Sequence, residues 1–295
     1  MERGLLAALQ IAGRPTETFA MADRMQRYAV PGAAVAVVDD GEISWASGYG
    51  VRRAGSNEAV HASTLFQAAS ISKAVSAVAV LALVEAGDIG LDDDVNRHLR
   101  SWQLAASAHT AAQPVTLRHL LSHTAGTTVP GFPGYPAGTA LPDVPSILSG
   151  AGGANTPAVE SFTTPGSVTQ YSGGGTTIVQ LLITEVTGRP FDELIRDLVL
   201  APFGMVDSAF DQPLAPHRAG RAAVGHDDGG RPTPGDHHVY PELQAAGLPC
   251  VAVDKGETGG DSAALSLLRS GEIDLVLHLP TRMVGFIQRG PDLTE

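Results

Sequence analysis

Residues 66–73 read Phe66-Gln67-Ala68-Ala69-Ser70-Ile71-Ser72-Lys73. They lead into an apolar run that continues to Val84, and within them Ser70 and Lys73 form the only Ser-x-x-Lys of the chain. The run is rich in Ala, Val and Leu, is too long for a strand and is closed by Gly87, so it predicts a buried helix over 70–86. Because positions i and i+3 of a helix share one face, we expect the Ser70 hydroxyl and the Lys73 amine to project together.

Lysine is scarce in this chain: of the 19 Lys and Arg residues, only Lys73 and Lys255 are lysines. Arginine stays charged at working pH, whereas a desolvated lysine amine can become neutral and act as a base. A neutral amine beside a serine can accept its proton as the hydroxyl attacks a carbonyl, which is acyl transfer without a histidine. On spacing alone, a solvated lysine at an exposed helix start remains the alternative.

A second candidate is Tyr171-Ser172-Gly173, which two further glycines follow. A tyrosine before a small-residue turn that opens a helix can point its phenol into a cleft, where it can move a proton beside a lysine. We take Tyr171 as a catalytic candidate and Ser172 and Gly173 as substrate-binding candidates. Without the Ser70–Lys73 pair, a packing tyrosine beside a flexible turn would be the better interpretation.

The secondary-structure pattern is two strands followed by many helices, which favours the α+β class over alternating βαβ units. An Asp-Gly turn between two β-type runs predicts an antiparallel hairpin. A lone hairpin is marginally stable, so further strands must complete the sheet. We expect strands at 33–39 and 43–50, helices at 18–28, 117–122, 176–187 and 190–200, and a long loop region at 127–166.

Composition narrows the function classes. The net charge of −12 argues against nucleic acid and anionic membranes as partners. The single cysteine, Cys250, rules out an intrachain disulfide, and no apolar run reaches the length of a membrane span. The N-terminus is a poor secretory signal, so we expect a cytoplasmic protein, or a periplasmic or secreted one if a leader is missing.

Motifs of other chemistries are missing from the sequence. There is no Gly-x-Ser-x-Gly, no His-Glu-x-x-His, no cysteine pair and no phosphate-binding Gly-x-x-x-x-Gly-Lys. We expect no cofactor and no metal. The stretches His226-Asp227-Asp228 and His237-His238 are interpreted as surface residues, and His123 as a helix-end residue rather than a catalytic base.

Several segments together resemble one family. Residues 66–73 resemble the active-site serine segment of the penicillin-recognising serine hydrolases, in particular class C β-lactamases, DD-peptidases of that type and β-lactamase-like carboxylesterases. The similarity extends from about residue 20 to Leu248. Val30–Val37 resembles the first strand of the family, and Leu120–Gly126 resembles its LLSHTSG segment. Tyr171–Gly175 lies where the family has Tyr-x-Asn, and Leu200–Met205 resembles the segment that follows the next helices.

This resemblance implies a β-lactamase-like fold, with an antiparallel sheet flanked by a helical region. It implies that Ser70 is the acylated nucleophile, Lys73 its base partner and Tyr171 the second proton-transfer group, with the Ser70 backbone N–H as one oxyanion donor. Gly173 stands where many relatives have Asn, a side chain that often orients the lysine and the substrate amide. Ester cleavage is therefore favoured over β-lactam or peptide cleavage.

The end of the chain departs from the family. Relatives continue with helices and a strand that carries Lys-Thr-Gly or His-x-Gly, whereas this chain changes character at Pro249. We therefore predict a β-lactamase-like region at 1–248 and a divergent tail at 249–295. Within the tail we expect a Gly-rich loop at 255–260, a helix at 262–269 and a strand at 273–279.

Two functional hypotheses follow. The first is a serine hydrolase that acts through an acyl-enzyme on a small-molecule ester, amide or β-lactam. The second is an impaired or non-catalytic truncated relative that acts as a binding protein or has no function, which the missing third motif favours. If the edge of the hairpin lies bare, a homodimer is a further expectation.

Overall fold

The computed structural model describes residues 3–6, 12–39, 42–242, 275–278 and 285–288. Its elements, in chain order, are β1 (Leu5–Leu6), β2 (Thr18–Phe19), α1 (Met21–Arg27), β3 (Gly32–Asp39), β4 (Glu42–Gly50), α2 (Ile71–Ala86), a 3₁₀-helix (Val95–Arg97), α3 (Leu117–Leu121), β5 (Tyr135–Pro136), α4 (Val144–Ser149), α5 (Gly173–Thr187), α6 (Phe191–Ile195), a π-helix (Arg196–Leu200), α7 (Pro216–Ala219), β6 (His238–Val239), β7 (Leu275–His278) and β8 (Gly285–Gln288).

The chain divides into two compact units. The first comprises the described residues within Met1–Ile71, Pro216–His237 and Gly247–Glu295. The second comprises those within Ser72–Ala215 and His238–Ala246. Helix α2 begins at Ile71, the residue at which the first unit ends. The predicted boundary between residues 248 and 249 lies outside the described residues and stays a prediction.

The main sheet of the first unit is the hairpin of β3 and β4. The two strands are antiparallel, with Gly32 opposite Gly50 and a register shift between Val37 and Val38. This confirms the predicted hairpin, although its turn lies outside the described residues. Each sheet in the described part of the chain has two strands, so the strands expected to complete this sheet are not found there. A homodimer through this edge stays a prediction.

The second unit is built around α5. Residues 173–183 of this helix are all buried, and none of them carries a charge. The buried Thr176 and Thr177 hydroxyls donate to the Ser172 and Gly173 carbonyls, so these polar groups are satisfied. Ser172 caps the N-terminus, and Gly188 ends the helix in the left-handed conformation, with φ of 67°. Helices α3, α4 and α6 each contact α5, so this helix forms the centre of the core.

Helix α2 turns one face into the core of the second unit. Ser72, Ser76, Val80 and Leu83 recur at helical spacing and are buried. The Ser76 hydroxyl donates to the Ser72 carbonyl at 2.7 Å, so the polar atom on this face is satisfied inside the helix. The half-buried Lys73 lies beside this face, in the first turn.

Most predicted elements are confirmed, and the chain is α+β. The predicted helices at 18–28, 70–86, 117–122, 176–187 and 190–200 correspond to α1, α2, α3, α5, and α6 with the π-helix. The predicted loop region at 127–166 also contains the short helix α4 and the strand β5, which the turn-rich composition concealed. In the tail, the strand at 273–279 is found as β7, paired with β8, while the predicted loop and helix lie outside the described residues.

Candidate active site

Ser70 lies directly before α2, at the end of a strained turn in the first unit. Ala69 has φ of +45°, a left-handed conformation that is costly for a residue with a Cβ. The Ile71 N–H donates to the Ala68 carbonyl at 3.0 Å, and Ala68 is completely buried. The hydrogen bond and the packing of Ala68 both stabilise the turn. Backbone strain of this kind is concentrated at functional sites, which makes the adjacent serine a candidate nucleophile.

Lys73 and Tyr171 meet in the second unit. The Lys73 Nζ lies 5.0 Å from the centroid of the Tyr171 ring, within the range of a cation–π contact. Tyr171 keeps 36% of its surface exposed, so the residue is accessible to solvent as well as in contact with Lys73. Ser70 belongs to the first unit and Lys73 to the second, so the contact predicted between their side chains stays a prediction.

A histidine that the sequence did not assign to the site packs against this tyrosine. The rings of His123 and Tyr171 have centroids 4.6 Å apart and are tilted by 41°. Burial and the positive charge of Lys73 lower the pKa of His123 below its ordinary value of 6.5. His123 follows Ser122, the C-cap of α3, which confirms its prediction as a helix-end residue.

Ser172 holds the start of α5 with its hydroxyl. The hydroxyl accepts from the Gly175 N–H at 2.8 Å and from the Thr127 hydroxyl at 3.0 Å, and it donates to the Thr128 carbonyl at 2.8 Å. Its hydrogen-bonding capacity is therefore used within the protein. The substrate contact predicted for Ser172 stays a prediction, and in the structure this residue is an N-cap that fixes the segment after Tyr171.

The glycines after Ser172 allow α5 to begin against a neighbouring loop. A Cβ on Gly174 would lie 2.7 Å from Val159 Cγ2 and 2.8 Å from the Thr128 carbonyl oxygen. A Cβ on Gly173 would lie 3.1 Å from the Pro130 carbonyl oxygen, tighter than ordinary contact. The loop thus occupies the space that a side chain at position 174 would need, and it crowds position 173, where the resemblance leads one to expect asparagine.

The three histidines of the His226-Asp227-Asp228 and His237-His238 stretches each have a ring nitrogen at hydrogen-bond distance from the backbone. The His226 Nε2 accepts from the Ala54 N–H at 3.0 Å, the His237 Nε2 lies 3.0 Å from the Ala223 carbonyl oxygen, and the His238 Nδ1 lies 3.0 Å from that of Pro133. The described residues contain no group of three or more side chains suited to hold a metal ion. Within the same residues, no helix has the length and apolar character needed to cross a bilayer.

Comparison with known protein families gives the class of this protein. The chain belongs to the Beta-lactamase family, whose model matches residues 20–276. Penicillin-binding protein 4 of Amycolatopsis lactamdurans is 30% identical over 179 residues, which make up 61% of this chain and 44% of that protein. The chain spans less than half the length of the curated relatives it matches.

Solved structures give the same fold. The octameric penicillin-binding protein homologue from Pyrococcus abyssi has a TM-score of 0.60 at 22% identity, over 85% of this chain and 55% of that one. A β-lactamase/D-alanine carboxypeptidase from Yersinia pestis, complexed with citrate, has a TM-score of 0.59 at 20% identity, over 76% of this chain and 60% of that one. These likenesses confirm the β-lactamase-like fold, and the family match confirms the resemblance drawn from the sequence.

Proposed function

We propose that this protein is a serine hydrolase that forms an acyl-enzyme at Ser70, with a small ester as its preferred substrate. The observation that carries the proposal is the approach of the Lys73 side-chain nitrogen to the Tyr171 ring, with Nζ 5.0 Å from the ring centroid. Lys73 lies in the first turn of α2 and Ser70 directly precedes that helix. Membership of the Beta-lactamase family supports the same chemistry.

In the acylation step, the Ser70 hydroxyl attacks the carbonyl carbon of the ester and its proton passes to the Lys73 amine. The oxygen of the tetrahedral intermediate becomes negative, and the Ser70 backbone N–H at the start of α2 is the proposed donor to it. The positive end of the helix dipole stabilises the same charge. Collapse of the intermediate expels the alcohol, which takes its proton from Tyr171 or Lys73.

The deacylation step reverses the proton movements with water as the nucleophile. The phenolate of Tyr171 or the amine of Lys73 takes one proton from the water as it attacks the acyl carbon. The acid leaves and Ser70 regains its proton. Each group that gives up a proton in the first half-reaction thus accepts one in the second, so the site is restored.

Esters are favoured over β-lactams and peptides because the site offers little to hold an amide. Gly173 carries no side chain that could contact a substrate amide, and a Cβ there would lie only 3.1 Å from the Pro130 carbonyl oxygen and 3.2 Å from the Phe132 ring. An ester has a better leaving group than an amide and needs less orientation of the scissile bond. β-Lactam and DD-peptide substrates rank below it for this reason.

The proposal is tested with a chromogenic short-chain ester and labelling by a fluorescent phosphonate. Wild type is expected to turn over the ester and to take up the label, and Ser70→Ala to lose both. Turnover that survives Ser70→Ala would refute the assignment of the nucleophile. No turnover and no label in a well-folded wild type would favour the non-catalytic relative. Labelling with a fluorescent penicillin, run in parallel, ranks β-lactams against esters.

The base role of Lys73 has a matched control in the same chain. Lys73→Arg keeps the charge beside Tyr171 but cannot become neutral, so acylation is expected to slow by about 10²–10⁴-fold. Lys255→Arg changes the other lysine of the chain and is expected to leave the rate unchanged. Equal rates in the two variants would show that Lys73 is not the base.

A further inference from the structure

Two hydrogen bonds from the backbone around Tyr171 end on a single residue, His123. The Gln170 N–H donates to the His123 carbonyl at 2.8 Å. The Ser172 N–H donates to the His123 Nδ1 at 3.3 Å, the long end of hydrogen-bond distance. The residues immediately before and after Tyr171 are therefore both bound to His123.

The backbone conformation of His123 allows its carbonyl and its ring to accept these two hydrogen bonds at once. Its φ of +56° places it in the left-handed region, directly after the C-cap of α3. Histidine and asparagine are among the residue types that tolerate this region, whereas most side chains are strained there. The turn aims the carbonyl at Gln170 and the ring at Ser172 and Tyr171.

The hydrogen bond also defines the protonation state of the ring. Nδ1 can accept from the Ser172 N–H only when it keeps its lone pair, so the proton of the neutral imidazole sits on Nε2. The titratable groups that face the ring are Tyr171, through the ring contact, and Lys73, through its charge. Burial and the Lys73 charge lower the pKa of His123, which keeps the ring neutral at neutral pH.

We propose that His123 is a positioning residue that holds the Tyr171 phenol beside the Lys73 amine. This inference rests on the proposed function, in which Tyr171 moves a proton during acylation and deacylation. The ring supports one face of the tyrosine, and the two hydrogen bonds hold the backbone on either side of it. A displacement of about 1 Å at such a group is enough to slow catalysis by about 10²-fold.

Two substitutions separate positioning from backbone conformation. His123→Gly accepts φ of +56° without strain and removes both the ring and the acceptor. His123→Asn also tolerates the left-handed region and places its amide oxygen near the position of Nδ1. A third variant, His123→Gln, keeps side-chain bulk but carries its oxygen one bond further out, and it serves if the glycine variant does not fold.

The first measurement is acylation of wild type and variants by the chromogenic ester, with thermal unfolding as the folding control. His123→Gly and His123→Gln are expected to lower kcat by about 10²-fold with little change in KM, and His123→Asn to recover most of the loss. If wild type acylates and His123→Gly does so at the same rate, the positioning role is refuted. An equal loss in the Asn and Gly variants refutes it as well.

The second measurement does not need turnover. Tyrosine labelled with ¹³C at Cζ gives one NMR signal per tyrosine, and the Tyr171 signal is assigned by its loss in Tyr171→Phe. His123→Gly is expected to move this signal toward that of an exposed tyrosine, and His123→Asn to leave it near its wild-type position. A Tyr171 signal unmoved in His123→Gly overturns the inference even if wild type proves inactive, so the failure of this proposal is distinct from that of the proposed function.

Discussion

A buried carboxyl group provides the sharpest physical test of this structure. Glu242 is 0% exposed, and both of its carboxylate oxygens lack a hydrogen-bond partner. Burial raises the pKa of Glu242 from its ordinary value of 4.5 to about 7. Burial raises the pKa of the buried Tyr135 phenol and of the half-buried Tyr240 phenol, and the charge of Glu242 acts in the same direction on both. The folded protein therefore favours the neutral acid.

The sign of the pH dependence follows from the two protonation equilibria. Below pH 4.5 the folded and unfolded chains both hold the proton, and Glu242 has no effect on their balance. Between 4.5 and about 7 the unfolded chain releases it and the folded chain does not, so the free energy of unfolding falls as the pH rises. Above that range the full cost is present, about 3 kcal/mol at 1.36 kcal/mol per tenfold change in proton affinity.

The perturbation is Glu242→Gln, which has the same shape and no titrating proton. Urea unfolding of wild type and variant is followed by circular dichroism at pH 5 and pH 8. The stability advantage of the variant over wild type is expected to be larger at pH 8 than at pH 5 by about 2–3 kcal/mol. Glu160→Gln, at an exposed glutamate of the same unit, is the control and is expected to show no such change. An equal advantage at both pH values would refute the buried, neutral acid.

Three further predictions concern the start of α5 and the tyrosine before it. Gly174→Ala is expected to lower the free energy of unfolding by about 1–3 kcal/mol, because its methyl group would meet the Thr128 carbonyl oxygen at 2.8 Å; unchanged urea unfolding would contradict this packing. Ser172→Ala removes the N-cap and is expected to cost about 0.5–2 kcal/mol in the same assay, and a smaller loss would count against the cap. Tyr171→Phe is expected to slow ester turnover by about 10²–10⁴-fold with the free energy of unfolding nearly unchanged. The control is Tyr28→Phe, at an exposed tyrosine, which is expected to keep the wild-type rate. Equal rates in the two variants would show that the Tyr171 hydroxyl takes no part in the reaction.

The helices of the site region were predictable because their signals are local. The apolar run after Lys73 and its closure by Gly87 predicted α2, and the structure ends this helix at Ala86. The β3–β4 hairpin followed from a turn signal between two β-type runs. In both cases a few neighbouring residues decide the conformation, through periodicity and turn chemistry.

The environment of Tyr171 was not predictable in this way. His123 was interpreted as the end of a helix, which is correct, but its contacts with the backbone on both sides of Tyr171 depend on how α3 and α5 pack. The three glycines were interpreted as a small-residue turn that opens a helix. The close approach of the Thr128 carbonyl oxygen, 2.8 Å from where a Cβ on Gly174 would lie, comes from a distant loop and has no local signal.

The amino-acid sequence by itself determined the family resemblance, the α+β class and the spacing of Ser70 and Lys73, since each of these depends on residue types at short separations along the chain. Only the tertiary structure brought Lys73, Tyr171 and His123 together and left the Glu242 carboxyl without a partner. These features depend on which distant segments of the chain pack together. Burial and nearby charges act between residues that are far apart in the sequence, so a local sequence pattern does not predict them.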